Sequence, residues 1–204
     1  VIGVAFGNTV TLNSANGDIF IAGKGMSGAT VNCANGINAT QDFWAKAGSG
    51  KIAMFGTANA AASSTYSIGV RFNGNSSRKT IVSSSNSASD AIVISGNSGP
   101  TASIRSSGVF FHGQTAGANV NNIIANTGSG GIQLTGRSAP TTAQDLTDNV
   151  GDGLELYGVA VLAKSGPIVL TGTTSAASTS TRATSIPARP SRSNRTTSPR
   201  RASS

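Results

Sequence analysis

The sequence has little charge and few aromatic residues, and its cysteine, histidine and leucine are scarce. Of its 204 residues, 11% are charged, 5% are aromatic and 26 are glycine. Typical soluble domains carry about 25% charged residues, many of them on helix surfaces. The abundance of Gly, Ser, Thr, Asn and Ala therefore favours short strands and turns over helices. No apolar run approaches the ~18 residues of a membrane-spanning helix, so we expect no membrane insertion of this segment.

Cysteine and histidine each occur once, which excludes several kinds of site. With Cys33 alone, the chain has no internal disulfide and no cysteine-rich metal site. His112 is the single histidine, so a zinc site built from several histidines is excluded. No serine lies in a Gly-x-Ser-x-Gly turn between a strand and a helix. We therefore expect neither catalytic residues nor a cofactor, and we interpret His112 as a turn residue at a strand exit.

The net charge of +8 is distributed unevenly along the chain. Residues 1–172 hold nine Lys/Arg against seven Asp/Glu, which leaves +2, whereas residues 173–204 hold six arginines and no acid. The nearly neutral body predicts no specific nucleic-acid partner. The Ser/Thr/Arg/Pro-rich tail, 173–204, has too few apolar residues to offset its chain entropy and is predicted to be disordered. It is an anion-binding arm, a linker or an out-of-frame end.

A strand-like motif recurs five times and dominates the organisation of residues 1–172. In each copy two Ile, Leu or Met residues alternate with other residues before a closing glycine, as in Gly17–Gly23. The closing glycines are Gly23, Gly56, Gly96, Gly136 and Gly172, with spacings of 33, 40, 40 and 36 residues. Alternation at period two predicts a strand with one buried face, and a flanking glycine predicts a turn with unusual backbone angles.

Two further apolar segments lie between successive copies of this motif. One resembles Gly3–Phe6 in each repeat, and the other is a short piece such as Val10–Leu12 or Phe43–Trp44. Three strands per repeat, five times over, predict an all-β chain in which stacked coils share one core. We predict a parallel β-helix (β-solenoid) of about five coils over residues 1–172. A β-sandwich is the alternative, but it does not explain the recurring glycines.

The paired motifs resemble the repeats of a known family. The runs Gly17–Gly23, Gly36–Ala39 and Gly50–Gly56 are similar to those of large bacterial exoproteins of the filamentous-haemagglutinin type, the β-strand-repeat passengers of two-partner and autotransporter secretion. The resemblance covers about residues 1–172. It implies a right-handed parallel β-helix that is extracellular, on the bacterial cell surface or secreted, and that serves adhesion or biofilm contact.

Four of the seven acids fall within eleven residues and form the candidate metal site. They are Asp145, Asp148, Asp152 and Glu155. Carboxylates beside an Asn carbonyl and glycine turns are ligands that Ca²⁺ accepts. The spacing matches neither an EF-hand nor a nonapeptide calcium repeat, and a solvated loop between strands is the alternative interpretation. Clustered acids also serve glycosidases built on β-helices, although the three-residue separation of Asp152 and Glu155 places them on opposite faces if both lie in one strand.

Several residues between the buried pairs are themselves apolar and are predicted to point outward. They are Phe20, Val93, Val169 and Phe110. An outward apolar stripe marks a contact surface, unless side loops cover it. We also expect the terminal coils, at residues 1–12 and 153–172, to expose unpaired strand edges, which are templates for adding strands.

These observations predict a non-enzymatic structural or adhesive rod segment of a bacterial exoprotein. The expected partners are a host-cell or matrix glycan or protein, or neighbouring rod segments through self-association. Two alternatives come from other classes: a carbohydrate-active enzyme on the same scaffold, and a phage or viral fibre segment. A stable trimer would favour the fibre, and turnover of an acidic polysaccharide that is lost in Glu155→Gln would favour the enzyme.

Overall fold

The structure, a computed structural model, describes residues 2–26, 33–59, 66–73, 78–99, 105–113, 121–139 and 151–174. These residues form fifteen β-strands and no helix, so none of them forms a helix able to cross a membrane. In chain order the strands are β1 (Ile2–Phe6), β2 (Val10–Asn13), β3 (Ile19–Met26), β4 (Cys33–Ala39), β5 (Phe43–Lys46), β6 (Ile52–Asn59), β7 (Tyr66–Asn73), β8 (Thr80–Ser84), β9 (Ile92–Asn97), β10 (Arg105–His112), β11 (Asn122–Asn126), β12 (Ile132–Ser138), β13 (Leu154–Tyr157), β14 (Val159–Ala163) and β15 (Ile168–Thr174).

The strands form three parallel sheets of five strands each. Sheet A has the order β1-β4-β7-β10-β13, sheet B has β2-β5-β8-β11-β14, and sheet C has β3-β6-β9-β12-β15. The chain therefore visits each sheet once per coil, which confirms the predicted β-solenoid with three strands per coil. The last strand extends two residues beyond the predicted boundary at 172. The predicted disorder of the tail concerns residues that, from 175 onward, lie outside the described part of the chain.

The buried face predicted for the five copies of the repeated motif is confirmed, and it forms an inward ladder of side chains in sheet C. Its two columns run in register through all five strands, because each Ile, Leu or Met pairs with its counterpart one coil away. The first four coils place these side chains in the core; the fifth pair, Ile168 and Leu170, is more open. The columns are Ile19, Ile52, Ile92, Ile132 and Ile168, and Ile21, Met54, Ile94, Leu134 and Leu170.

A row of phenylalanine rings fills the core between sheets A and B. Phe43 of β5 packs against Phe6 at a centroid distance of 5.0 Å and against Phe72 at 5.1 Å. Phe72 stacks on Phe111 one coil further along, at 4.6 Å. Rings at these distances attract one another beyond the effect of burial alone. The rings therefore link successive coils through a single continuous core.

The closing glycines do not mark turns, so that prediction was wrong. They lie inside the strands of sheet C, and among the described residues positive φ angles occur at other glycines, such as Gly48. Their role is close approach of two backbones. A Cβ at Gly56 would overlap the carbonyl oxygen of Gly69 in sheet A. The same overlap recurs at Gly23, Gly96 and Gly136, so the second half of sheet C lies directly against sheet A.

Polar side chains join the coils at the corner between sheets B and C. The Ser49 hydroxyl donates to Asn16 Oδ1 at 2.9 Å, and Asn86 Nδ2 donates to the Ser49 carbonyl at 2.6 Å. Asn126 Nδ2 in turn donates to the Asn86 carbonyl at 3.0 Å and to the Gly130 carbonyl at 2.6 Å. These bonds provide donors for carbonyl groups in the turns, which are not hydrogen-bonded within a sheet. They also connect four successive coils at one corner.

Candidate functional site

The outer face of sheet C, here called the sheet C face, is the best-defined surface of the described residues. It consists of three columns of five side chains, and none of the fifteen is buried. From strand spacing and rise it measures roughly 19 Å by 14 Å. The columns are Phe20, Ala53, Val93, Gln133 and Val169; Ala22, Phe55, Ser95, Thr135 and Thr171; and Lys24, Thr57, Asn97, Arg137 and Thr173.

Three of the four apolar residues predicted to point outward share the first of these columns. Phe20, Val93 and Val169 lie in it, and Phe20 is 68% exposed. The Phe20 ring contacts the ring of Phe55, which is 41% exposed, at a centroid distance of 5.7 Å. Two solvent-exposed rings held side by side on a sheet form a platform for an apolar or sugar-like surface.

The charges on and beside this face are arranged asymmetrically. Lys24 and Arg137, both exposed, lie in the third column, and the fifteen residues include no acid. Next to the first column, Lys51 Nζ pairs with Asp90 at 2.8 Å, and this bond holds the pKa of the Asp90 carboxyl below its usual value. The sheet C face therefore combines two rings, several hydroxyl and amide groups and two cations, which suits a neutral or acidic polar ligand.

The fourth predicted outward residue, Phe110, lies on a different sheet. It is half-buried on sheet A, in register with Arg71 and Glu155 of the neighbouring coils. The guanidinium carbon of Arg71 lies 5.9 Å from the Phe110 ring centroid and 6.0 Å from that of Tyr66. These distances are typical of cation–π contacts. The predicted single stripe is thus divided between two faces.

His112 is the last residue of β10, as expected for a residue at a strand exit. Its ring stacks on Phe110 at 5.7 Å and on Tyr157 of the next coil at 5.2 Å. The ring therefore extends the aromatic cluster of sheet A across two coils.

The predicted acid cluster is only partly within the described residues. Asp145 and Asp148 lie outside them, while Asp152 precedes β13 and Glu155 lies within it. Burial raises the pKa of the half-buried Asp152 carboxyl. Among the described residues no group of three His, Cys, Asp or Glu could hold a metal ion. The calcium site of Asp145, Asp148, Asp152 and Glu155 thus stays a prediction.

Comparison of the sequence with protein-family models, with curated proteins and with solved structures finds no match. The surfaces described above are therefore interpreted from their own chemistry.

Two features of these surfaces were missed by the sequence reasoning. Phe55 was not singled out, although its place between Met54 and the closing glycine predicts an outward side chain. The cluster around Arg71 was missed because it joins residues of three strands whose connecting segments differ in length. Only the register of β7 with β10 brings Arg71 beside Phe110.

Proposed function

We propose that this chain is a non-enzymatic adhesive rod segment of an extracellular bacterial exoprotein of the filamentous-haemagglutinin type. In this proposal the sheet C face contacts a glycan or protein of a host cell or matrix. The β-solenoid is the fold that the repeat resemblance implies, and such a rod presents a rigid surface.

The observation that carries the proposal is the exposed Phe20–Phe55 pair on two strands of sheet C whose inward side chains are buried in the core. Phe20 is a neighbour of the buried Ile19 and Ile21, so the backbone beneath the ring is fixed by the core. A preorganised aromatic platform loses little conformational entropy when a ligand binds. Exposed aromatic residues on rigid supports also supply much of the energy at many interfaces.

The other side chains of the face favour a polyhydroxylated ligand that is neutral or acidic. Ser95, in register with Phe55, and Thr57 offer hydroxyl donors and acceptors beside the rings. Lys24, in register with Thr57, and Arg137 of the fourth coil offer charged donors. Hydrogen bonds to charged donors are about twice as strong as neutral ones. An acidic glycan would therefore bind more tightly at low salt than at high salt, because exposed charges are screened.

The proposal is tested by binding the full chain to arrays of neutral glycans, acidic glycans and extracellular-matrix proteins. The informative variant is a double variant that carries both Phe20→Ser and Phe55→Ser. It removes the aromatic platform and leaves the inward ladder of sheet C intact. We expect at least a tenfold loss of affinity for any ligand retained by the unmodified chain, or about 1.4 kcal/mol.

Leu162→Ser is the matched control, because Leu162 is an exposed apolar residue on the outer face of sheet B. We expect it to bind as tightly as the unmodified chain. Equal losses in the two variants, or no retained ligand on any array, would contradict the proposal.

A carbohydrate-active enzyme is the second candidate, and one observation favours it. The pKa of Asp152 is raised by burial, as is common for a general acid, and Asp152 lies close in sequence to Glu155. Turnover of an acidic polysaccharide that disappears in both Asp152→Asn and Glu155→Gln would establish this function instead.

A further inference from the structure

One end of the described solenoid leaves the core open. Ile132 and Leu134 of β12 are fully buried, yet their register partners Ile168 and Leu170 in β15 are 42% and 46% exposed. These two side chains belong to the inward columns, so their exposure reflects that, among the described residues, no strand of sheet C lies beyond β15. An uncovered parallel edge with an apolar inner column is a template for a further strand.

The opposite end presents the strands that would continue the same columns. There, β1, β2 and β3 are the outermost strands of their sheets, and they run parallel to β13, β14 and β15. In sheet C, Ile168 and Leu170 would lie over the Ile19 and Ile21 of a second copy, which are 9% and 7% exposed, whereas the first-coil pairs of sheets A and B are only partly buried. This repeats the pairing of Ile132 and Leu134 with Ile92 and Ile94.

The other two sheets match in the same register. Leu154 and Leu156 in sheet A share their columns with Val4 and Phe6 at the far end, and Val159 and Val161 in sheet B share theirs with Val10 and Leu12. A shift of one residue would turn every inward side chain outward, and a shift of two would place one residue of the Ile168–Leu170 pair opposite a glycine, so the apolar pattern favours this register.

From this complementarity we infer that two copies of the chain stack head to tail, with β13–β15 of one copy against β1–β3 of the next. The contact joins two different surfaces and does not close on itself, so it generates filaments. The inference is independent of the proposed adhesive function, since it uses the strand edges and the core and not the sheet C face.

A second copy fits the open end better than the residues that follow β15 in the same chain. Residues 175–204 contain one large apolar residue, Ile186, together with six arginines. They cannot supply the six apolar side chains that the three inward column pairs require. The first coil of another copy supplies all six.

Disulfide trapping in the full chain tests the register of this contact. In the stack, Thr171 of one copy lies beside Ala22 of the next, since both belong to the same outward column. Neighbouring strands are about 4.8 Å apart, within the Cα separation that a disulfide tolerates. In a Cys33→Ser background, chains with Ala22→Cys are mixed under oxidation with chains carrying Thr171→Cys. We expect the mixed dimer to exceed either homodimer at least tenfold.

Thr135→Cys in place of Thr171→Cys is the matched control. Thr135 is exposed in the same column, but its strand has neighbours on both sides. If mixed dimers are no more frequent with Thr171→Cys than with Thr135→Cys, the stacking is overturned. The same result is expected if residues 175–204 of the same chain cover β15.

Sedimentation of the unmodified chain gives a second readout that needs no variant. We expect the average mass to rise with protein concentration and with added salt, because salt screens repulsion among the arginine-rich segments over ~8–10 Å and leaves apolar contacts intact. A chain that stays monomeric throughout, or an association that weakens as salt is added, would contradict apolar stacking. Neither result would bear on glycan binding by the sheet C face.

Discussion

Ile94 lies in the middle coil of the inward ladder, which has packed coils on both sides. It is fully buried between Met54 and Leu134 of the adjacent coils. We expect Ile94→Ala to lower the free energy of unfolding by ~2–5 kcal/mol, the usual range for removing a large core side chain. Chemical denaturation measures the loss. Val93→Ala, one residue away on the outer face, should cost less than about 1.5 kcal/mol, and equal losses would contradict a one-sided core.

Gly56 tests the close approach of sheets A and C. A Cβ there would overlap the Gly69 carbonyl, which is backbone and cannot rotate away. We expect Gly56→Ala to destabilise the chain by more than 2 kcal/mol, about the upper range for overpacking, with a lower midpoint in thermal or denaturant unfolding. Gly7→Ala is the matched control, because nothing lies within 4 Å of the added Cβ. Unchanged stability in Gly56→Ala would show that the sheets can move apart.

Asp152 gives the chain a pH dependence of known sign. Burial raises the pKa of its carboxyl above the ordinary value of 3.8, so ionisation is less favourable in the folded protein than in the unfolded chain. The stability linked to its protonated form is fully present below pH 3.8 and is lost as the pH rises through the higher folded value. We therefore expect Asp152→Asn to raise the melting temperature at pH 7 and to have no effect under strongly acidic conditions.

Asp90 is the control, because its ionisation makes stability depend on pH in the opposite direction. The hydrogen bond from Lys51 lowers the pKa of the Asp90 carboxyl below the ordinary value of 3.8. The stability linked to the ionised carboxylate is therefore present above pH 3.8 and is lost as the pH falls through the lower folded value. The pair is exposed and screened, so the effect of Asp90→Asn should be small. Shifts of the same sign in the two variants would contradict this assignment.

At the scale of elements, the corner between sheets B and C depends on side-chain hydrogen bonds. Asn126 is buried and donates to carbonyls of two turns, those of Asn86 and Gly130. Asn126→Ala would leave the Gly130 carbonyl without this donor, whereas the Asn86 carbonyl still accepts from the Gly130 N–H at 3.1 Å. An unsatisfied buried carbonyl costs about 1–3 kcal/mol. We expect a loss in that range on denaturation, and also faster amide hydrogen exchange at the Gly128 and Gly130 turn.

Thr127→Ala is the control for this corner. Thr127 is the next residue, it is exposed, and its hydroxyl lies 3.4 Å from the Ser84 carbonyl, a long hydrogen bond. Its removal should change stability by less than about 0.5 kcal/mol. Similar losses for the two variants would show that the corner is not held by Asn126.

The strands could be predicted from the sequence because their signal is local and repeated. Alternating apolar residues identify the inner face of β9 without reference to its neighbours, and five copies fix which strands stack. The glycines were misinterpreted for the opposite reason. Gly56 carries no local sign of its role, since its constraint comes from Gly69, which the sequence alone does not place beside it.

The contact surfaces could be predicted only in part. The outward direction of Phe20 follows from its position between Ile19 and Ile21. Its contact with Phe55 depends on side-chain rotamers in two neighbouring columns, and the Arg71 cluster depends on the pairing of β7 with β10. Such juxtapositions are set by tertiary register, which repeat spacings of 33 to 40 residues do not resolve at the level of single residues.

At the scale of the whole molecule, five coils spaced by ~4.8 Å form a short rod with one continuous core. Its long sides carry the proposed contact surface, and its ends carry matching strand edges. The two proposals can therefore operate together, since stacking would repeat the sheet C face along a filament. A repeated face binds a polymeric ligand with higher avidity than one copy does, provided that the spacing allows simultaneous contact.

Both proposals depend on the central claim that the strands stack in register along one axis. The most direct test is the distance between nitroxide spin labels at Asn13 and Leu162, exposed residues of one outward column in the first and last strands of sheet B. Four strand spacings separate their backbones, so pulsed electron resonance on the Cys33→Ser background, diluted with unlabelled chain, should give a single narrow distribution near ~19 Å. A mean beyond about 30 Å, or several populations of comparable size, would contradict the in-register solenoid.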